Sequence, residues 1–130
     1  MLGRVPEGSK KQILIVDDDP DIRNMVQFIL EKGGYLTACA EDGAGALKRL
    51  ELEPFDLIIL DLSMPHMTGQ DFISRLVKAK SKIPVLIITA QANPALTFQQ
   101  LSSQYKPLDI LIKPFLPGEI LEKVEKFVES

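Results

Sequence analysis

The sequence predicts an α/β fold in which five parallel strands form one doubly wound sheet. Short apolar runs with β-strand character recur along the chain. The segments between them have the apolar period of helices and lack the turn signals of hairpins. Helices that separate successive strands must cover both faces of the sheet, which makes the strands parallel and the sheet doubly wound.

The strands are the most strongly patterned elements. Each is a short, mostly apolar run, and in four of the five runs isoleucine, leucine and valine predominate, as expected for strands buried on both faces. The predicted strands cover residues 13–16, 35–40, 57–60, 85–88 and 110–112.

The first helix is predicted between Pro20 and the Gly33-Gly34 pair. Asp19 is a suitable N-cap, and a proline is well tolerated in a first helical turn. Two adjacent glycines are a typical helix end. The apolar face, at the spacing i, i+3, i+4, i+7, i+8, consists of Ile22, Met25, Val26, Ile29 and Leu30.

Four more helices follow the later strands, and one of them has a weak signal. Pro54 ends a short second helix, and Thr68 to Asp71 resembles a capping box that begins the third. Asn93-Pro94 begins a fourth helix, which we expect to be short or irregular because its apolar stripe is partial. The residues predicted to face the core from the second, third and fifth helices are Ala44, Leu47 and Leu50; Phe72, Ile73, Leu76 and Val77; and Ile120, Leu121, Val124, Phe127 and Val128.

Length and composition predict one soluble domain. The chain has 130 residues, of which we expect 1–11 to form a flexible N-terminal lead-in and 12–130 to form the domain. Its apolar runs are far shorter than the roughly 18 residues of a membrane-spanning helix. A net charge of −3 provides no electrostatic footprint for nucleic acid, so we expect neither membrane nor direct nucleic-acid binding. Cys39 is the only cysteine, which excludes an intramolecular disulfide and fits a cytoplasmic protein.

Polar side chains stand at the carboxyl ends of four predicted strands. They are Asp17 and Asp18, Asp61, Thr89 and Lys113. Because the carboxyl ends of parallel strands meet at one edge of the sheet, where open α/β folds place ligands, these residues should share one site. Crowded carboxylates favour a bound cation and suit Mg²⁺, while the ammonium and hydroxyl groups can hold an anion. Such a set is suited to phosphoryl transfer onto aspartate.

The residues around these strand ends resemble the signature motifs of the receiver domain of two-component response regulators. The motifs are Val16-Asp17-Asp18-Asp19-Pro20, Leu60-Asp61-Leu62-Ser63-Met64-Pro65-x-Met67-x-Gly69, Thr89-Ala90 and Lys113-Pro114-Phe115. Their order and spacing agree with the family, and the match runs from about residue 12 to residue 128. The resemblance implies a flavodoxin-like (βα)5 receiver fold with strand order 2-1-3-4-5.

The resemblance also implies roles for the acidic residues. Asp61 would be the phospho-acceptor and a metal ligand. Asp18 would bind Mg²⁺ directly and Asp17 through water, with the backbone carbonyl of Ser63 completing the protein's ligands. Taken singly, an aspartate after a strand can also be a simple turn or helix cap, and Asp19 is better explained as a cap than as a ligand.

The remaining motif residues have implied roles toward the phosphoryl group. Lys113 would bring positive charge to its oxygens, and Thr89 would donate a hydrogen bond to one of them. Pro114 matches a family proline whose peptide bond is often cis, an isomer that the sequence does not set. Gln91 borders the path of a hydrolytic water, and His66, the only histidine, is expected to be an exposed loop residue.

By this resemblance the chain is a phospho-accepting domain of a bacterial two-component or phosphorelay system. Asp61 would take a phosphoryl group from the phosphohistidine of a sensor histidine kinase or a histidine phosphotransfer domain, with Mg²⁺ as cofactor. The domain would then switch conformation and signal to an output domain, a downstream protein or a second copy of the chain. We expect a signalling switch that catalyses only its own phosphorylation and dephosphorylation.

Three other functions are compatible with parts of the sequence. In a haloacid-dehalogenase-like phosphatase Asp17 would be the nucleophile and Asp19 the acid, but the acidic pair after the lysine and the length for a cap are lacking. A flavodoxin-like carrier of FMN shares the fold, although three aspartates in its first loop would repel the phosphate. A receiver-like domain that binds partners without phosphorylation remains an alternative.

The sequence departs from the family pattern near the last strand. Ile110 stands where receivers usually carry a tyrosine or phenylalanine, and isoleucine is stiff about its first torsion. Lys106-Pro107-Leu108 replaces the usual Gly-Ala, and the interval from Thr89 to Lys113 is about two residues longer than usual. We hypothesise that activation rearranges the backbone of residues 91–109 while Ile110 stays packed, and that this face recognises an unusual partner or forms a dimer.

Overall fold

The computed structural model describes residues 10–62, 67–90 and 92–129. The predictions for Ser63, His66 and Gln91, and most of that for the lead-in, lie outside these residues. Strands and helices alternate along the chain. Their bounds are β1 Gln12–Val16, α1 Pro20–Lys32, β2 Leu36–Ala40, α2 Gly43–Leu52, β3 Leu57–Asp61, α3 Gly69–Lys78, β4 Val85–Thr89, α4 Pro94–Ser102, β5 Leu108–Ile112 and α5 Pro117–Val128.

The five strands form one parallel sheet in the order β2-β1-β3-β4-β5. This confirms the predicted doubly wound α/β fold and its strand order. The register aligns the strand ends, since Val16 pairs with both Ala40 and Leu60, and Asp61 pairs with Ile88. The order reverses direction at β1 and β3, so the crevice at their carboxyl ends is the topological switch point of the sheet.

The core has two layers, one on each face of the sheet. Every residue of β3 and β4 is buried, because alternate side chains enter opposite layers. The α2 and α3 side chains Ala46, Phe72 and Leu76 pack on one face, together with Leu101 from α4. The α1 and α5 side chains pack on the other face; the most buried are Val26, Leu30, Ile120 and Val124.

The predicted caps of α1 and α3 are present. Asp19 is the N-cap of α1, and its carboxylate accepts from the Asp21 N–H at 2.9 Å. The Thr68 hydroxyl accepts from the Asp71 N–H, and the Asp71 carboxylate accepts from the Thr68 N–H, which is the reciprocal capping box expected from the sequence. α1 ends before Gly34, whose φ of +96° is a conformation that glycine adopts without strain.

Three residues predicted to face the core do not. Met25 and Val77 are 40% and 43% exposed because they lie at the margins of their helices' apolar stripes. In α2 Ala46 is buried and Ala44 is exposed, because the helix is rotated so that Ala46 meets the sheet.

The fourth helix is short, as predicted, and the fifth strand begins earlier than predicted. α4 is a continuous nine-residue helix capped by Asn93, whose side chain accepts from the Leu96 N–H at 3.2 Å. β5 begins two residues before the predicted strand, at Leu108, which pairs with Val85 directly after Pro107.

Cys39 is half-buried and carries a free thiol, and burial raises its pKa. Across the described ranges, no helix has the length and apolar character needed to span a membrane.

Candidate functional site

Three carboxylates meet at the carboxyl edge of the sheet. Asp17 and Asp18 follow β1, and Asp61 is the last residue of β3, the neighbouring strand. Each offers one oxygen, and the three oxygens lie within 4.8 Å of one another. Asp17 and Asp61 are only 3% and 7% exposed, whereas Asp18 is exposed. The structure therefore brings together the acidic residues predicted from strands one and three.

Backbone and side-chain hydrogen bonds fix the position of Asp17. Its N–H donates to the Ala40 carbonyl at 3.1 Å, which extends the β1–β2 ladder by one step. Its carboxylate accepts from the Asp19 N–H at 2.9 Å. Its carbonyl accepts from Nη1 of Arg23 at 2.6 Å. The last bond is charge-assisted and comes from the first turns of α1, so the helix holds the acidic loop in place.

Arg23 is a residue that sequence reasoning missed. Its only local signal is its place one turn after the cap of α1, where a long basic side chain can reach back to the strand end. Asp19, by contrast, lies outside the cluster as a helix cap, in agreement with the prediction for it.

Burial raises the pKa of Asp17 from 3.8 to about 6. The negative charges of Asp61 and Asp18 act in the same direction. The hydrogen bond from Asp19 and the positive charge of Lys113 oppose them but do not cancel the burial effect. Ionisation of Asp17 therefore costs more free energy than that of an exposed carboxylate, and a cation in the cluster would offset this cost.

Lys113 is the cationic group of the site. Its Nζ lies 3.5 Å from Oδ1 of Asp61 and 3.9 Å from Oδ2 of Asp17. The backbone N–H of Lys113 donates to the backbone carbonyl of Thr89 at 2.8 Å. This bond joins the ends of β4 and β5, so Lys113 follows β5 next to the buried Thr89 at the end of β4. The following peptide bond to Pro114 is cis. All the described residues predicted for the site thus lie at one edge of the sheet.

The chain after Asp61 is held close to the sheet. The Leu62 N–H donates to the Ile88 carbonyl at 3.3 Å, and the Gly69 N–H donates to the Leu62 carbonyl at 3.0 Å. A Cβ at Gly69 would lie 2.5 Å from Cδ1 and 2.9 Å from Cα of Leu62. Only glycine fits this approach, which gives the last residue of the Asp61 motif a physical reason.

The donor set suits a hard divalent cation. Three carboxylate oxygens at one point are the ligands that Mg²⁺ prefers, and Mg²⁺ completes an octahedron with water. The exposure of Asp18 leaves the cluster open to solvent on one side. The residues present therefore fit Mg²⁺.

Comparisons with known proteins agree with this geometry. Residues 13–125 match the protein family described as the response regulator receiver domain. The chain is 37% identical to the DNA-binding response regulator MtrA of Mycolicibacterium smegmatis over 116 residues, which are 88% of this chain and 49% of MtrA. It is 33% identical to the response regulator receiver protein CpdR of Brucella abortus, covering 91% of this chain and 97% of CpdR.

A solved structure provides a comparison with ligands present. The response regulator TrrA of Thermotoga maritima, in complex with Mg²⁺ and BeF, is 32% identical and superposes with a TM-score of 0.77. That match covers 90% of this chain and 98% of TrrA. The chain spans about half the length of MtrA and of the Bacillus subtilis regulator PhoP.

Proposed function

Because the chain belongs to the response regulator receiver domain family, we propose that Asp61 accepts a phosphoryl group from a phosphohistidine of a partner protein. The proposed cofactor is Mg²⁺, held by Asp17, Asp18, Asp61 and the carbonyl of Ser63. The proposed domain extends over residues 12–130, with residues 1–11 as its lead-in.

The observation that carries this proposal is the position of the Asp61 carboxylate, which lies between the ammonium group of Lys113 and the carboxylates of Asp17 and Asp18. One oxygen lies 3.5 Å from Nζ of Lys113, and Asp61 also contributes an oxygen to the three-carboxylate cluster. A carboxylate with an ammonium on one side and a cation-binding cluster on the other can approach a dianionic phosphoryl group without strong repulsion.

The transfer step requires one bond to form and one to break. An oxygen of Asp61 attacks phosphorus as the bond from phosphorus to the histidine nitrogen breaks, and the imidazole leaves with that electron pair. Lys113 neutralises charge on the transferred oxygens, and Thr89 donates a hydrogen bond to one of them. Mg²⁺ held by Asp17, Asp18 and Asp61 would supply further charge neutralisation. Attack by water on the acyl phosphate then releases inorganic phosphate and restores the Asp61 carboxylate.

The proposed outcome is a signalling switch. The acyl phosphate shifts a conformational equilibrium because its oxygens interact differently with Thr89 and Lys113 in the two states. The partners would be a sensor histidine kinase or a histidine phosphotransfer domain upstream, and an output domain, a downstream protein or a second copy downstream. The proposed location is the cytoplasm, where such phosphorelays operate.

Phosphorylation by radiolabelled acetyl phosphate tests the proposal. With Mg²⁺ the wild-type chain should be labelled, and chelation of the metal with EDTA should suppress the labelling. Asp61→Asn should abolish the label because the amide has the same shape and is not a nucleophile. Asp19→Asn is the matched control and should retain it. An unlabelled wild-type chain with native circular dichroism, or equal labelling of Asp61→Asn, would falsify the proposal.

A further inference from the structure

The amino edge of the sheet, opposite the acidic cluster, carries a lysine-rich surface. Lys78, Lys80 and Lys82 lie at the end of α3 and in the connection to β4, and Lys106 precedes β5. All four side chains are exposed. Among the described residues, none of the four has a carboxylate oxygen within 4.0 Å. In a chain with a net charge of −3, this is a local excess of unneutralised positive charge.

The backbone at Lys80 adds an independent observation. α3 ends in a Schellman motif, in which the Lys80 N–H donates to the Val77 carbonyl and the Ser81 N–H donates to the Leu76 carbonyl, both at 3.0 Å. The φ angle of Lys80 is +56°, and Lys80 is the non-glycine residue with positive φ in the described structure. Glycine adopts this conformation without a steric penalty, so the chain carries a lysine here at the expense of stability.

An apolar groove lies directly beside these lysines. It runs between α2 and α3 and has a volume of about 410 Å³. Its apolar lining is Leu47, Leu50, Leu76 and Ile83, and Glu51 and Arg75 place one negative and one positive charge at its wall. Ala79 and Ser81, the neighbours of Lys80, also line it.

Lys106 lies at the same edge of the sheet but lines a second groove, with Phe98 of α4 and Phe127 of α5. The hydroxyl of the preceding Tyr105 lies 2.8 Å from Oγ of Ser81 and donates to the Ile83 carbonyl at 2.7 Å. These bonds attach the α4–β5 connection to the wall of the groove between α2 and α3. The apolar groove therefore lies next to the positive charges of Lys78, Lys80 and Lys82, which flank its lining residues Ala79 and Ser81 along the chain.

We propose that this amino-edge groove docks an acidic segment of a partner protein. A large apolar side chain of the segment would enter the groove, and flanking carboxylates would pair with Lys78, Lys80 and Lys82. The exposed charges and the apolar lining together favour such a segment over a polyanion, which would use the lysines alone. Nucleic acid is also disfavoured by the negative charge of the whole chain.

The docking surface is separate from the proposed phosphorylation site. The strands between the two edges have five residues, so the surfaces are about 17 Å apart at a rise of roughly 3.3 Å per residue. A segment at the amino edge leaves Asp61 accessible. Binding should therefore persist in Asp61→Asn, which distinguishes failure of this proposal from failure of the phosphorylation proposal.

Selection from a random peptide display library tests the docking surface. The full chain is the bait, and the selected peptides are resynthesised with fluorescein and measured by anisotropy. We expect peptides that combine glutamate or aspartate with leucine, isoleucine or phenylalanine. Lys78→Gln with Lys82→Gln should weaken their binding roughly fivefold, as the loss of two exposed ion pairs predicts. The control Lys32→Gln with Lys48→Gln removes the same charge from other exposed positions and should have no effect.

Two single variants separate docking from a structural role. Lys80→Gly should raise the melting temperature, because it relieves the positive φ, and should weaken peptide binding. Ala79→Leu, at an exposed position that lines the groove, should block binding while the fold is retained. Three results would overturn the proposal: no enrichment of acidic apolar peptides, binding unchanged by the lysine and Ala79 variants, or stronger lysine-dependent binding of an oligothymidylate or of phosphatidylserine vesicles.

Discussion

Replacing Asp17 by asparagine should stabilise the metal-free protein at neutral pH. Asp17 is 3% exposed, and its charge faces the carboxylates of Asp61 and Asp18. Asparagine has nearly the same shape, and its Oδ1 can still accept from the Asp19 N–H that now lies 2.9 Å away. The substitution therefore removes the buried charge with little change in packing.

The magnitude follows from the shift of the Asp17 pKa from 3.8 to about 6. The folded protein binds this proton more tightly than the unfolded chain, so the free energy of unfolding falls as the pH rises from about 4 to about 6. At about 1.4 kcal/mol per pKa unit, a shift of roughly two units corresponds to about 3 kcal/mol at pH 7. Asp17→Asn should recover a stability of this order at pH 7 and progressively less toward pH 4.

Urea denaturation in EDTA, followed by circular dichroism, measures the effect. With urea m-values of about 1–3 kcal/mol/M, a gain of about 3 kcal/mol raises the midpoint by roughly 1–3 M. Asp21→Asn is the matched control, since Asp21 is an exposed carboxylate in the first turn of α1. It should leave stability unchanged or slightly lower, because negative charge is favourable at a helix N-terminus.

Mg²⁺ should narrow the difference in stability between the two proteins. A ligand at 100 times its dissociation constant stabilises the folded state by about 2.7 kcal/mol, and the wild type should gain more than Asp17→Asn. An Asp17→Asn protein that is no more stable than the wild type in EDTA at pH 7 would refute the reasoning, because the burial of an uncompensated charge at Asp17 would then have no energetic effect.

Asp18→Asn should weaken Mg²⁺ affinity in calorimetric titration, whereas Asp19→Ala should chiefly lower the free energy of unfolding by about 1 kcal/mol through loss of a helix cap. A greater loss of Mg²⁺ affinity in the Asp19 variant would reverse these roles. Tyr105→Phe should destabilise the fold by about 1–2 kcal/mol in urea denaturation, because the partly buried partners of its hydroxyl, Ser81 and Ile83, lose a hydrogen bond. An unchanged midpoint would argue against this anchor. Beryllofluoride, a mimic of the phosphoryl group, should alter amide exchange within residues 91–109 while Ile110 keeps its protection. Changes confined to the loops of the acidic cluster would contradict that hypothesis.

The strand ends could be predicted because their signals are local, whereas the strand order was available only through the resemblance to the receiver family. Apolar runs, caps and turn residues depend on a few neighbouring positions. The polar residue that follows a strand is predicted correctly even when the predicted start of the strand is wrong by one or two residues. The predicted start of β5 is two residues too late, because the Lys106-Pro107 pair indicates a break before the strand. In the structure Leu108 pairs with Val85 directly after Pro107. Pairing with a neighbouring strand is a tertiary contact that sequence patterns do not contain.

The rotation of a helix about its axis and the contacts of long side chains could not be predicted from the sequence. Ala44 and Ala46 have equal propensity and hydrophobicity, and only the packing of α2 on the sheet makes Ala46 the buried one. The Arg23 contact with the Asp17 carbonyl likewise depends on the angle at which α1 leaves the strand. The raised pKa of Asp17 follows from burial, which the sequence indicates only in outline.

The most direct test of the central claim is chemical identification of the phosphorylated residue. The chain is phosphorylated with acetyl phosphate and Mg²⁺, and borohydride then reduces the acyl phosphate, which converts the acceptor aspartate to homoserine. Peptide mass spectrometry should find homoserine at position 61 and an intact aspartate at position 17. Homoserine at position 17 would contradict the account and support the phosphatase alternative.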